Sequence, residues 1–389
     1  MEFIALKAQY KELKDEIDKN IHEVLDNGAF IQGEYVSIFE KQLADYIGVK
    51  HVVSCSDGTA ALQLIYMANS IGAGDAVFCP DMTFIASIEP ACLLGATPVF
   101  CDIEPGTYNI DPKSLEKQIK SVIVEGKLVP KAVVAVDFLG NPADFDAIRE
   151  ITDKYNLLLI EDAAQGTGAS YKGKKCGSLG DIGATSFFPS KPLGCYGDGG
   201  AVYTNDDEMA EKLKSLRVHG RGVDKYHNIA IGINSRLDTL QAAILCAKLK
   251  HLPEEMEIRQ KVAERYCASL SDIFDMPRIT EESVSAFAQF SITLGSTLKE
   301  KGITRDECVE YLKKNDIPSI QYYPVPMHML PVFQNVQNYS ETFDNTVYYS
   351  RNHFGIPFSP YIALEEQNSV IDVLKKCIIK ENKNVKKNT

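Results

Sequence analysis

Lys191 lies in Ala184-Thr-Ser186-Phe-Phe-Pro-Ser-Lys191-Pro-Leu-Gly-Cys-Tyr-Gly197-Asp-Gly199-Gly200, behind an apolar, strand-like run and ahead of a glycine-rich turn. An amine so placed is partly desolvated, which lowers its pKa and favours the neutral form that attacks a carbonyl. The alternative is a lysine reaching out to water, which Phe187, Phe188, Pro189 and the glycines disfavour. A second feature is Leu157-Leu-Leu-Ile-Glu161-Asp162-Ala163-Ala164-Gln165, an apolar run ending in two carboxylates. Strand alternation points the two to opposite sides. A buried, unpaired carboxylate is costly, so Asp162 either has a cationic or hydrogen-bonding partner or caps a following helix.

Two further segments offer anion sites. Val53-Ser-Cys-Ser-Asp57-Gly58-Thr59-Ala60 reads as a strand, a glycine turn and a helix start. Free N–H groups and the helix dipole attract an anion there, Gly58 permits close approach and Thr59 adds a hydroxyl, although a plain capped turn uses the same letters. In Gly232-Ile-Asn234-Ser235-Arg236-Leu237-Asp238, Asn234 or Ser235 caps a helix expected over 235–252, with Arg236 in its first turn. A cation at that end opposes the dipole, which points to another task such as holding an anion.

Positioning these residues requires a sheet. Short apolar runs at 52–54, 76–80, 98–103, 132–138, 157–161, 185–188 and 201–204 alternate with helical patterns such as 144–155. Strands apolar on both faces and separated by helices predict an α/β fold with a large, mostly parallel seven-stranded sheet. Ligands of such sheets gather at the carboxyl ends of the strands, where all four segments fall. From about residue 235 the pattern changes. Helices are expected at 235–252 and, after Pro253, at 254–270, then a half-buried strand at 286–294 and helices at 304–315 and 365–380. This divides the chain into a large α/β domain at 1–250, a smaller C-terminal α+β domain at 251–380 and a polar tail at 381–389.

Composition narrows the partners. The 389 residues are 45% hydrophobic and 24% charged, as in an ordinary globular protein, with a net charge of −12. That charge argues against nucleic acid or an acidic membrane surface as the main partner. No run reaches the ~18 apolar residues of a membrane helix and the start lacks a signal-peptide core, so a cytoplasmic enzyme is expected. The ten cysteines show no metal-site spacing and read as reduced, mostly buried thiols, and no metal is expected.

Taken together in this order and spacing, Asp57-Gly-Thr-Ala-Ala-Leu, Glu161-Asp-Ala-Ala-Gln165, the Lys191 segment and Asn234-Ser-Arg-Leu-Asp238 resemble the DegT/DnrJ/EryC1/StrS aminotransferases. The resemblance runs from the N-terminus to about residue 375. It implies the aspartate-aminotransferase-like fold type I and pyridoxal 5'-phosphate (PLP), held as a Schiff base on Lys191. Asp162 would pair with the ring nitrogen and Gln165 with the ring hydroxyl. Gly58, Thr59, Ala60 and Ser186 would hold the phosphate. Phe84 would lie on the ring face, unless it is a core aromatic. Asn234 would reach the phosphate of a neighbouring subunit, which implies a homodimer with shared sites. Tyr322, Tyr323 and His328 resemble the segment that closes over a nucleotide sugar, or are packed aromatics; relatives often have His where this chain has Tyr322. Asp57 departs from the uncharged residue common in the family and must be paired or turned away from a phosphate.

The resemblance further implies L-glutamate as amino donor, a UDP-linked keto sugar as acceptor and a place in polysaccharide or lipopolysaccharide biosynthesis. The motifs are most similar to members that aminate C3 of UDP-2-acetamido-3-keto hexoses or hexuronates, with Arg236 a candidate for a sugar carboxylate. Amination at C4 of a UDP-4-keto-6-deoxy sugar and a non-catalytic PLP-binding sensor are the alternatives. A dehydratase of this fold is expected to have His at position 191, and a nicotinamide enzyme would need a GxGxxG after its first strand; neither is present.

Overall fold

The computed structural model describes residues 1–224, 226–339 and 341–377; the polar tail expected at 381–389 and the end of the helix expected through 380 lie outside the described residues. All seven expected strands form: β1 His51–Cys55, β2 Asp75–Pro80, β3 Thr97–Cys101, β4 Val129–Val136, β5 Leu158–Asp162, β6 Ile182–Ser186 and β7 Gly200–Thr204. They make one sheet in the order β1-β7-β6-β5-β4-β2-β3. Only β7 runs antiparallel, to both β1 and β6; the other pairs are parallel. Both faces are covered, hence the unbroken apolar runs. Along β2, Val77 and Cys79 pack with Leu62 and Ile65 of the helix Gly58–Ala68. Ala76 and Phe78, on the other side, pack with Leu115, Ile119 and Ile148 of the helices Pro112–Glu125 and Phe145–Tyr155.

The helices expected at 235–252 and 254–270 are a single one, Thr239–Leu270, with Pro253 inside it. Proline removes a backbone hydrogen bond and crowds the carbonyl four residues back, at about 3 kcal/mol in a helix interior. Leu249 and Leu252 before it and Met256 after it are buried in one cluster, so packing on both sides carries the helix through. Nor does the helix begin at 235. The Ser235 N–H donates to the Arg217 carbonyl at 2.9 Å and Asn234 bridges to Val218, which leaves Asp238 in the N-cap position. Asn234 and Ser235 are therefore not caps, and Arg236 precedes the helix rather than lying in its first turn.

Beyond this helix, Phe274–Asp275, Phe290–Leu294 and His353–Ile356 form an antiparallel three-stranded sheet. Its apolar side packs with Tyr266, Leu270, Leu312 and Leu374. The strand expected at 286–294 is shorter and buried on both faces, not half-buried. Its polar side is covered too, where the Tyr349 hydroxyl donates to Ser291 Oγ at 3.3 Å from the helix Asp344–Asn352. No cysteine forms a disulfide; Cys92, Cys267 and Cys377 are partly exposed and the other seven buried. Among the described residues no helix is long and apolar enough to cross a membrane.

Candidate active site

The carboxyl ends of β1, β5 and β6 open into one cavity of about 530 Å³. After β1 the chain turns through Asp57 and starts the helix Gly58–Ala68. A Cβ on Gly58 would stand 2.7 Å from Ser186 Cβ, so only glycine lets this helix end approach the end of β6. Asp57 is paired, as its position requires. Its Oδ1 accepts the Ala60 N–H at 2.8 Å and its Oδ2 the Ser56 hydroxyl at 2.7 Å. Ala60, with its N–H so engaged, is buried outside the cavity lining, whereas Gly58, Thr59 and Ser186 line it.

Asp162 closes β5 and faces the cavity with 4% of its surface exposed. Oδ2 accepts the Ser87 hydroxyl at 2.6 Å, which is joined to the Thr83 hydroxyl at 2.8 Å, and Oδ1 accepts the Ala164 N–H at 3.1 Å. A turn follows, so Asp162 caps no helix. Burial pushes its carboxyl above the usual range, against the pull of Ser87, the Ala164 N–H and the Lys191 charge. Glu161 takes the opposite side, where it accepts the Gly177, Leu179 and Gly180 N–H groups. Burial also raises Asp137 beside it, as does the Glu161 charge.

Lys191 follows a short turn in which its N–H donates to the Phe188 carbonyl at 2.8 Å. Desolvation lowers its amine to about 8, with Asp162 opposing the shift. At pH 8 half of it is neutral, against roughly one part in 300 for an ordinary lysine. The rate at which the cofactor-free protein takes up an aldehyde such as PLP is therefore expected to rise about tenfold per pH unit below 8 and to flatten above it. Stopped-flow absorbance reads this directly, and a profile still rising at pH 10 would contradict it.

Gln165 Oε1 accepts the Leu139 N–H at 2.5 Å, and its Nε2 lies 3.4 Å from the Tyr323 hydroxyl. Phe84 is no core aromatic; it is 55% exposed, lines the cavity and lies 5.8 Å from the Tyr323 ring. Tyr322 and Tyr323 line the same cavity. The Tyr322 N–H donates to His353 Nε2 at 2.7 Å while His353 Nδ1 faces the Tyr349 carbonyl at 2.7 Å, which fixes a neutral imidazole; burial lowers its pKa to about 4. Besides Ala60, three expected residues stand apart. His328 is tied to Asp81, Nδ1 to Oδ2 at 2.5 Å, and stacks on Phe343. Asn234 is exposed and Arg236 partly buried outside the lining. Sequence reasoning missed Ser87, Ser190, Asp198 and Gln289, all of which line the cavity.

The family model for DegT/DnrJ/EryC1/StrS aminotransferases matches residues 11–375. The chain belongs to that family. It is 45% identical over 332 residues, 85% of this chain and 88% of the relative, to a UDP-2-acetamido-2-deoxy-3-oxo-D-glucuronate aminotransferase of Pseudomonas aeruginosa. It is 39% identical over 331 residues, 85% of each chain, to a UDP-N-acetyl-3-dehydro-alpha-D-glucosamine 3-aminotransferase of Acidithiobacillus ferrooxidans. The crystal structure of a DegT DnrJ EryC1 StrS aminotransferase from Brucella abortus superposes with a TM-score of 0.93 at 41% identity, covering 96% of this chain and 98% of that one. The fold is thus the aspartate-aminotransferase-like fold type I, with a mostly parallel large sheet and a smaller α+β part.

Proposed function

We propose that the protein is a PLP-dependent aminotransferase that moves an amino group from L-glutamate to C3 of a UDP-2-acetamido-3-keto hexose or hexuronate. The observation that carries this reading is the pairing, within one cavity, of an amine lowered to about 8 with a buried carboxylate. The names of the two curated relatives support a 3-keto sugar on UDP.

The residues suit the cofactor: an anion cup at Gly58, Thr59 and Ser186, an amine for its carbonyl and a carboxylate for its ring nitrogen. Bound there, PLP supplies an electrophilic carbonyl and an electron-withdrawing ring. Asp162, its carboxylate held by Ser87 and the Ala164 N–H, would keep the proton on the ring nitrogen. Gln165, its oxygen spent on Leu139 and one N–H directed at the Tyr323 hydroxyl, would offer its second N–H to the ring hydroxyl. Lys191 Nζ would accept the proton from the amine-bearing carbon of the donor and pass it to the carbonyl carbon of the cofactor, and would move a proton in the opposite sense, to C3 of the sugar, once the acceptor is bound. Phe84, exposed in the cavity, would shield one ring face. Tyr322 and Tyr323 border the sugar, while Arg236 and His328 lie farther out.

The assembly we propose is a homodimer with shared sites, in which Asn234 serves the partner's phosphate cup. The segment around it supports this, since Val223, Ile229 and Ile231 expose large apolar surfaces, Ile231 at 89%. Light scattering on the purified protein tests the dimer, and a monomer with full turnover refutes it. We also propose a cytoplasmic location, a role in polysaccharide or lipopolysaccharide biosynthesis, and domains at 1–250 and 251–380. The separate cluster built on Tyr266, Phe290 and Leu374 supports a distinct C-terminal part, although the helix Thr239–Leu270 runs unbroken across 250/251 and its Met256 packs with Leu249 and Leu252. Turnover of UDP-2-acetamido-3-keto and UDP-4-keto-6-deoxy sugars with glutamate decides the substrate. Activity on the 4-keto compound alone refutes the C3 reading, and PLP binding without turnover favours a sensor.

A further inference from the structure

One polar side chain of the cavity has no partner for its oxygen. Gln289 lines the cavity with 6% of its surface exposed, and its Oε1 is buried without a hydrogen bond. It interrupts an otherwise apolar stretch, Ala286-Phe-Ala-Gln289-Phe290, just ahead of the strand Phe290–Leu294. Buried amide oxygens are normally satisfied, and one left bare is a standing cost that the fold gains nothing by keeping. A small void behind it, also lined by Phe138, Leu139 and Phe287, measures about 10 Å³, the lower limit for one water.

The backbone around Gln289 is held firmly. The Ala286 N–H donates to the Gly140 carbonyl at 2.8 Å and the Ala288 N–H to the Leu139 carbonyl at 2.9 Å. Ser285 Oγ donates to the same Gly140 carbonyl at 3.0 Å. Gly140 has φ +90°, and a Cβ there would stand 2.8 Å from the Ala288 nitrogen, so the turn Phe138–Gly140 admits this close stitching only with glycine. That turn also binds Gln165 through the Leu139 N–H. A residue of the cofactor cup and Gln289 are thus fixed by one piece of backbone, which sets the distance between them.

We infer that Gln289 is a specificity-determining residue whose Oε1 accepts a hydrogen bond from a hydroxyl or amide N–H of the acceptor sugar. This inference rests on the proposed function and deepens it. The amide can donate through Nε2 as well as accept, so the selection lies in the oxygen, which takes only donors, and the two substrates differ on that point. Apart from the amino group that is transferred, L-glutamate presents only carboxylates, which accept. A 2-acetamido sugar presents hydroxyls and an amide N–H. Gln289 therefore tells the acceptor from the donor within a pocket that must hold each in turn.

The test separates the two half-reactions of the holoenzyme. Gln289→Leu is mixed with L-glutamate, and separately with the UDP-2-acetamido-3-amino sugar run in reverse, while cofactor absorbance is followed. The ratio of the two rates is expected to shift about 10- to 100-fold in favour of glutamate, the effect of losing one well-placed hydrogen bond in a dry site. The melting temperature is expected to hold or rise, because the substitution removes an unsatisfied buried amide. An unchanged ratio, or a lowered melting temperature with both rates falling together, overturns the assignment in favour of a packing role. A wild-type enzyme that reacts with glutamate but not with the amino sugar fails the proposed function itself, and this inference with it.

Discussion

Lys191→Ala lowers kcat by about 10⁴-fold or more, the upper end of what a general base contributes, because the same nitrogen is also the nucleophile. The two roles are lost together, so Lys191→Arg, which keeps a cation but offers no neutral amine, is expected to fare no better. Added methylamine restores part of the activity if the missing function is a free amine in the cavity. The wild-type protein with PLP has a visible absorption band that borohydride bleaches, and the alanine variant lacks it. More than 1% residual turnover would sink the assignment. Stability provides a control with a definite sign. The folded pKa is lowered to about 8 from 10.5, so between these values the native state binds fewer protons than the unfolded chain. Wild-type stability in the cofactor-free form therefore gains with rising pH across that window, and Lys191→Ala flattens the gain.

Asp162→Asn is expected to cost about 10²- to 10³-fold in kcat, the scale for deleting one preorganised electrostatic partner. The amide can still accept from Ser87 or the Ala164 N–H, but it no longer holds a proton on the ring nitrogen. Here the linkage sign is the reverse. Burial raises this carboxyl, so the native state binds more protons than the unfolded chain above the ordinary carboxylate pKa, and stability is lost as pH rises through the window. Cofactor-free Asp162→Asn is expected to melt above the wild type at pH 7–8 and level with it near pH 4. A variant that melts lower at neutral pH while still binding PLP would show that Asp162 serves the fold rather than the cofactor.

How far the sequence speaks depends on how local the cause is. β5 was legible because Leu158-Leu-Ile is apolar on both faces, and the helix expected at 304–315 forms over Arg305–Lys314, its start fixed by a capping box of Thr304 and Glu307. The helix Leu6–Asn27 went unread although Leu13, Ile17 and Val24 have helical spacing. Two of its buried positions are Gln9 and Asn20, whose partners, Glu255 Oε1 and the Ala243 carbonyl, lie more than 200 residues away. The start of the long helix was misread for the same reason, since Arg217 and Val218 hold the residues before it. In the cavity, Lys191 and Gly58 follow strands and Asp162 ends one, and all three announce themselves. Ser87 matters only through Asp162, and His328 is drawn away by Asp81, a pairing across 247 positions. Gln289 had a local signal, a lone amide in an apolar run, and its meaning needed the fold.

The Asp57 carboxylate bears on what the helix after β1 requires. Because it already satisfies the Ala60 N–H and accepts from Ser56, the helix beginning at Gly58 is terminated by the chain's own anion. This helix start needs no bound anion to satisfy its Ala60 N–H, since the chain brings its own.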